Sequence, residues 1–142
     1  MRTGMFAVAA VVALLAAGSV CAEVLHYTAK LDGASETPPN DSKGKGTAWV
    51  NLNTATKGLD WKVEYSGMSG PATMAHFHGP APVGKAAGVA VPLNGNLASP
   101  TTGSATLTDA QIADLKAGLW YVNVHTAAHP PGEIRGQLTP AK

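Results

Sequence analysis

Five histidines carry most of the chemistry open to this chain: His26, His76, His78, His125 and His129. Four of them fall in two short stretches. The first reads Met74-Ala75-His76-Phe77-His78-Gly79-Pro80, the second Asn123-Val124-His125-Thr126-Ala127-Ala128-His129-Pro130-Pro131. In an extended chain His76 and His78 point to one face, roughly 6.6 Å apart, while Phe77 turns to the core and Met74 joins the histidine side. Two imidazoles at that spacing can converge on one metal ion. His125 ends a second extended run. Where the two runs share a site, His76, His78 and His125 present three nitrogen donors, and His129, on a loop beside two prolines, is a candidate fourth. Imidazole suits copper and zinc. A planar or T-shaped three-nitrogen set with an open position favours Cu(II), and a closed tetrahedral set favours Zn(II). The competing readings are rings bonded to backbone carbonyls that fix loops at the end of the fold, or an exposed pair with no partner. Spacing alone leaves these alternatives open. His26 stands apart and reads as structural or exposed.

The remaining sequence has to position those two stretches. Short alternating runs broken by Gly, Pro and Asn predict strands over 24–31, 46–53, 59–65, 73–78, 89–93, 103–107, 119–125 and 134–138. In the first, Leu25, Tyr27, Ala29 and Leu31 alternate with His26, Thr28 and Lys30. In the second, Ala48, Val50 and Leu52 alternate with Thr47, Trp49 and Asn51. Thr54 to Gly58 is a short polar connection that suits a hairpin between the second and third runs. One helix is expected near 109–117. Thr108-Asp109-Ala110-Gln111 is a capping box, Leu107 and Ile112 sit at staple positions, and Gly118 is a natural stop. About eight strands and one short helix predict an all-β, antiparallel two-sheet sandwich or flattened barrel. Trp49, Trp61 and Trp120 read as core, and Glu133 with Arg135 as a structural pair. Asn40-Asp41-Ser42 matches a glycosylation sequon, which a bacterial source would leave idle. No nucleophile elbow, zinc-protease motif or phosphate loop is present, and no carboxylate pair suited to glycoside chemistry stands out.

Composition sets the compartment and excludes some partners. The chain has 142 residues, enough for one domain, with 45% hydrophobic and 13% charged residues. A formal net charge of +1 offers no clustered basic face, which argues against nucleic acid. Arg2, the apolar run from Met5 to Val20 and the small residues ending Val20-Cys21-Ala22 have the order of a secretory signal, with cleavage expected after Ala22. The apolar run is shorter than the ~20 residues of a membrane span, so no membrane anchor is expected after cleavage. A lipoprotein reading of Cys21 is weaker, because Gly18-Ser19-Val20 precedes it. Removal of residues 1–22 leaves a 120-residue domain, 23–142, without cysteine and with no formal net charge. Such a domain must be held by its own core, in the periplasm or outside the cell.

Several segments, in order along the whole mature chain, resemble the chordin-type CHRD domain. They are Leu31-Asp32-Gly33-Ala34-Ser35-Glu36-Thr37-Pro38-Pro39, Ala75-His76-Phe77-His78-Gly79-Pro80-Ala81, Leu115 to Gly118, Tyr121-Val122-Asn123-Val124-His125-Thr126, and Pro131-Gly132-Glu133-Ile134-Arg135-Gly136-Gln137-Leu138. The resemblance implies an immunoglobulin-like, superoxide-dismutase-like Greek-key β-sandwich. In animal chordin such domains belong to a larger extracellular antagonist of growth factors. Microbial members are mostly exported single domains and are not regarded as enzymes. The likeness to copper–zinc superoxide dismutase implies that His76 and His78 match its His-x-His copper ligands, and His125 its later copper histidine. Arg135 would stand for the anion-guiding arginine. A zinc loop of clustered His and Asp and a cysteine pair are missing. Three functions follow: an exported copper-binding module, an envelope or extracellular interaction domain with hydrogen-bonded histidines and a protein partner, or a copper-only dismutase-like enzyme.

Overall fold

A computed structural model describes residues 21–142. The expected signal segment lies outside the described residues apart from Cys21 and Ala22. The strands are β1 (Val24–Asp32), β2 (Lys45–Asn53), β3 (Gly58–Ser66), β4 (Ala72–His78), β5 (Val89–Pro92), β6 (Thr101–Thr106), β7 (Tyr121–Thr126), β8 (His129–Gln137) and β9 (Thr139–Pro140), with one helix, α1 (Asp109–Lys116). They form one antiparallel sheet in the order β5-β4-β7-β8-β1-β2-β3-β6, and β9 pairs with β1. The expected all-β architecture holds, but as a continuous sheet folded over into a barrel-like sandwich.

Period-2 patterning explains which side folds inward. Tyr27, Ala29 and Leu31 of β1, Ala48, Val50 and Leu52 of β2, and Leu59, Trp61 and Val63 of β3 are all buried, and the residues between them are not. This wall closes on Ala75, Phe77, Val122, Val124 and Ile134 from β4, β7 and β8. Trp61 meets Phe77 edge-on with centroids 5.4 Å apart, although β3 and β4 are far apart in the sheet order. Phe77 also stacks on Trp120 at 6.1 Å. Full burial of such side chains stabilises by roughly 1.5–3 kcal/mol each, which lets a cysteine-free domain stand on its core.

Local chemistry fixes the connections. Asn53 accepts the Ala55 and Thr56 amides, and Lys57 takes φ +59°, closing the β2–β3 hairpin with Asn53 opposite Gly58. The capping box on α1 is formed in both directions, and Gly118 follows the helix at φ +76°. Leu115 is the helix's buried residue, and Gln111 ties it to the Ala90 carbonyl of β5.

The structure corrects three expectations. The last long strand starts at His129, not near 134, because the Ala127-Ala128 turn is tight enough for Thr126 to pair His129 directly. His129 is therefore a strand residue and not a loop residue. Trp49 is not core: it lies on the outward phase of β2, 43% exposed, with the Lys62 ammonium 5.4 Å over its ring.

Candidate metal centre

The β4–β7 ladder assembles the site. Its register sets Met74 opposite His125, His76 opposite Asn123 and His78 opposite Tyr121. Opposed residues share a face of an antiparallel pair. The intervening residues Ala75, Phe77, Val122 and Val124 supply the core on the other face. One alternation thus produces both the hydrophobic wall and the polar cluster behind it. β8 extends the cluster by pairing Asn123 with Arg135.

Two loops close over this face. The loop after β1 brings Glu36, Thr37, Asn40 and Ser42 against β8. Asn40 donates its amide to the Gly132 and Glu133 carbonyls, so the sequon's asparagine is occupied in holding the loop down. The loop after β4 brings Ala87, whose carbonyl lies 3.0 Å from His78 Nδ1. Tyr121 stacks flat on His78, centroids 4.8 Å apart, and the Arg135 guanidinium lies 3.5 Å over the other part of the stack, on Tyr121. Arg135 also donates to Thr37.

The hydrogen bonds set the direction of each ring. His78 Nδ1–H donates to the Ala87 carbonyl, and His125 Nδ1–H donates to the Pro130 carbonyl at 2.7 Å. A neutral imidazole carries one proton, so both Nε2 atoms are left with lone pairs. Both point at Asn123 Oδ1, at 2.9 Å from His78 and 3.1 Å from His125. His76 Nδ1 lies 3.2 Å from His125 Nε2. The amide nitrogen of Asn123 is turned away, to the buried Glu36 carboxylate. Electron pairs from the His78 and His125 rings and one amide oxygen therefore gather around one point, with His76 Nδ1 beside them at 3.2 Å from His125 Nε2.

Electrostatics keep protons from filling it. Burial lowers the pKa of His76, and the neighbouring His125 and His78 lower it further. Burial also lowers His78, against the opposing effect of its bonds to Ala87 and Asn123. Glu36 shifts the other way: burial raises its pKa, while the Thr37 amide and Asn123 offset part of that.

The donors fit a metal ion. One ligand atom from each of His76, His78 and His125 lies within 4.8 Å of the others. Metal–nitrogen bonds of ~2.0 Å place nitrogens about 3.3 Å apart around a tetrahedral ion and up to about 4 Å apart around a planar one. Ring movements of less than about 1 Å complete either arrangement. The backbone carbonyls on the Nδ1 atoms of His78 and His125 supply the outer contacts that usually orient ligating histidines.

His129 does not join this group. It starts β8 opposite Thr126, on the side of Glu36. His26 is exposed and bonded to Asn51, as expected for a residue outside the site. Glu133 and Arg135 are not partners of each other. They share a strand phase, but Arg135 is taken by Tyr121 and Thr37. Glu133 accepts Ser42 and Ser69 hydroxyls at 2.6 Å, the Ser69 amide at 2.9 Å, and the Thr126 hydroxyl. Burial alone would raise the Glu133 pKa, yet those four donors bring it down to about 2. The carboxylate clamps the approach to β4, the end of β7 beside His125, and the loop after β1.

Sequence reasoning missed Asn123, Tyr121 and the Pro130 carbonyl as parts of the site. The available signal for the first two was their phase: both fall on the His125 side of a period-2 run. An open cleft of about 530 Å³, lined by Lys30, Asp32, Lys45, Glu64 and Tyr65 among others, contains none of the histidines. Its exposed charges include the Asp32–Lys45 pair at 3.7 Å.

Comparison with curated proteins and with solved structures gave no match. The CHRD domain model matches residues 27–138, from the inward phase of β1 to the end of β8 and so across every element that builds the histidine cluster. The chain belongs to the CHRD domain family.

Proposed function

We propose that this protein is an exported metal-binding module that takes copper at His76, His78 and His125. The observation that carries the reading is the shared orientation of two rings. Backbone carbonyls hold the Nδ1 protons of His78 and His125, turning both Nε2 lone pairs to Asn123 Oδ1 beside His76 Nδ1. Three electron-pair donors facing one another, the two Nε2 atoms and Asn123 Oδ1, repel unless a cation lies among them, and lowered ring basicity disfavours a proton in that role. Copper is preferred over zinc because the same nitrogen set binds Cu(II) more tightly than Zn(II). Export rests on the segment 1–22, whose charged start, apolar run and small-residue end suit a signal.

A second reading has its own observation. Backbone carbonyls accept the Nδ1 protons of His78 and His125, and His76 Nδ1 lies within hydrogen-bond reach of His125 Nε2, where a proton on His76 would satisfy that lone pair without a metal. On that reading the histidines join β4, β7 and two loops in an envelope or extracellular interaction domain. Calorimetric titration of the metal-stripped protein with Cu(II) and Zn(II), beside a His76→Ala/His78→Ala variant, separates the two. Stoichiometric binding that the variant loses supports the metal module, and makes a dismutase assay the next step. No heat of binding by the folded protein refutes it and leaves the interaction domain.

A further inference from the structure

We propose that Met74 supplies a thioether ligand to this centre, so that the site holds copper in its reduced form, Cu(I), in preference to Zn(II). The inference rests on the copper reading above and adds the ion's oxidation state and a fourth donor. Three observations carry it. The β4–β7 register places Met74 directly opposite His125, two residues before His76 on an unbroken part of the ladder. Directly opposed side chains start with Cβ atoms about 4.5–5.5 Å apart, and methionine's three rotatable bonds cover the remaining distance. The side chain is 48% exposed and is not among the hydrophobics packed on the core, whereas Met68 is. A register shift lies immediately before Met74, between Ala72 and Met74, and such irregularities commonly re-aim a side chain beside a site.

The chemistry of the donor set then selects the ion. A thioether is soft and neutral, a good ligand for Cu(I) and a poor one for Zn(II). His76, His78, His125 and Asn123 are neutral donors as well, and among the described residues no carboxylate joins the histidine group. Neutral ligands in a partly buried site suit a monovalent cation better than a divalent one, because less charge is left uncompensated. The geometry agrees. Two nitrogens of a tetrahedral ion with ~2.0 Å bonds lie about 3.3 Å apart, and His76 Nδ1 and His125 Nε2 are separated by 3.2 Å. Met74, opposite His125 and half exposed, is placed to complete a four-donor set with the three histidines.

The test is an anaerobic titration of metal-stripped protein with Cu(I) against a chromogenic Cu(I) chelator, with Cu(II) and Zn(II) titrated in parallel. Wild type, Met74→Leu and His76→Ala/His78→Ala are compared, and circular dichroism confirms that each is folded. Met74→Leu should lose Cu(I) affinity by about tenfold or more, keep Cu(II) and Zn(II) affinity within about twofold, and lose a copper–sulfur shell in X-ray absorption. Unchanged Cu(I) affinity in Met74→Leu, with no sulfur shell in wild type, overturns the thioether role while the histidine site stands. Absence of any metal uptake by wild type overturns both.

Discussion

Glu133→Gln tests whether a buried carboxylate holds together the two strands that carry the histidines. Glu133 is fully buried and accepts four hydrogen bonds, from Ser42, Ser69 twice and Thr126. Its pKa falls from 4.5 to about 2. At 1.36 kcal/mol per unit, that shift corresponds to about 3 kcal/mol of folding free energy. The folded-state pKa is depressed, so this contribution is fully present above the unfolded value near 4.5. It is lost as pH falls through the folded value near 2. Glutamine keeps the shape but not the charge, so the variant should be less stable by about 3 kcal/mol at pH 7 and by progressively less below pH 4.5. Urea unfolding of both proteins in chelator, from pH 7 to pH 2.5, measures the gap directly. Glu64→Gln is the control: its carboxylate pairs with Lys62 on the exposed side of β3 and should show little loss at any pH. A wild-type advantage over Glu133→Gln that is under about 1 kcal/mol at pH 7, or does not shrink in acid, refutes the clamp.

Three further outcomes are expected. Gly132→Ala should destabilise by about 2 kcal/mol or more in urea unfolding. Its φ is +131°, and a Cβ there would lie 2.1 Å from Glu36 Oε1. Phe77→Ala should cost about 3–5 kcal/mol by the same measurement, since the ring joins Trp61 to Trp120 with no exposure of its own. Copper uptake should be nearly constant from pH 8 to pH 7 and weaken steeply in acid, because His76 and His78, with lowered pKa values, stay neutral until protons outcompete the metal; calorimetry at several pH values checks it.

Much of this architecture was legible in the sequence because it depends on neighbours along the chain. The inward phases of β1, β2 and β3 follow from which residues alternate, and α1 from a capping box that closes within four residues. The shared face of His76 and His78 follows from the same period of two. His129 shows the limit of such reasoning. Followed by two prolines, it reads as a loop residue, yet a tight turn puts it in β8 and away from His76, His78 and His125. Glu133 and Arg135 show the same limit: proximity in sequence suggested a pair, and each found its partners elsewhere.

The sequence by itself determined that the chain is an antiparallel β domain of the CHRD family with histidines on outward strand phases. Tertiary structure alone decided that His125 comes to His76 across 49 positions of chain, that Asn123 and two backbone carbonyls orient the rings, and that Met74 faces His125. The physical reason is one of range. Side-chain phase is set by local backbone geometry and the drive to bury one face. The meeting of distant residues is set by strand order and register, which emerge only when every strand has buried its own face against the others.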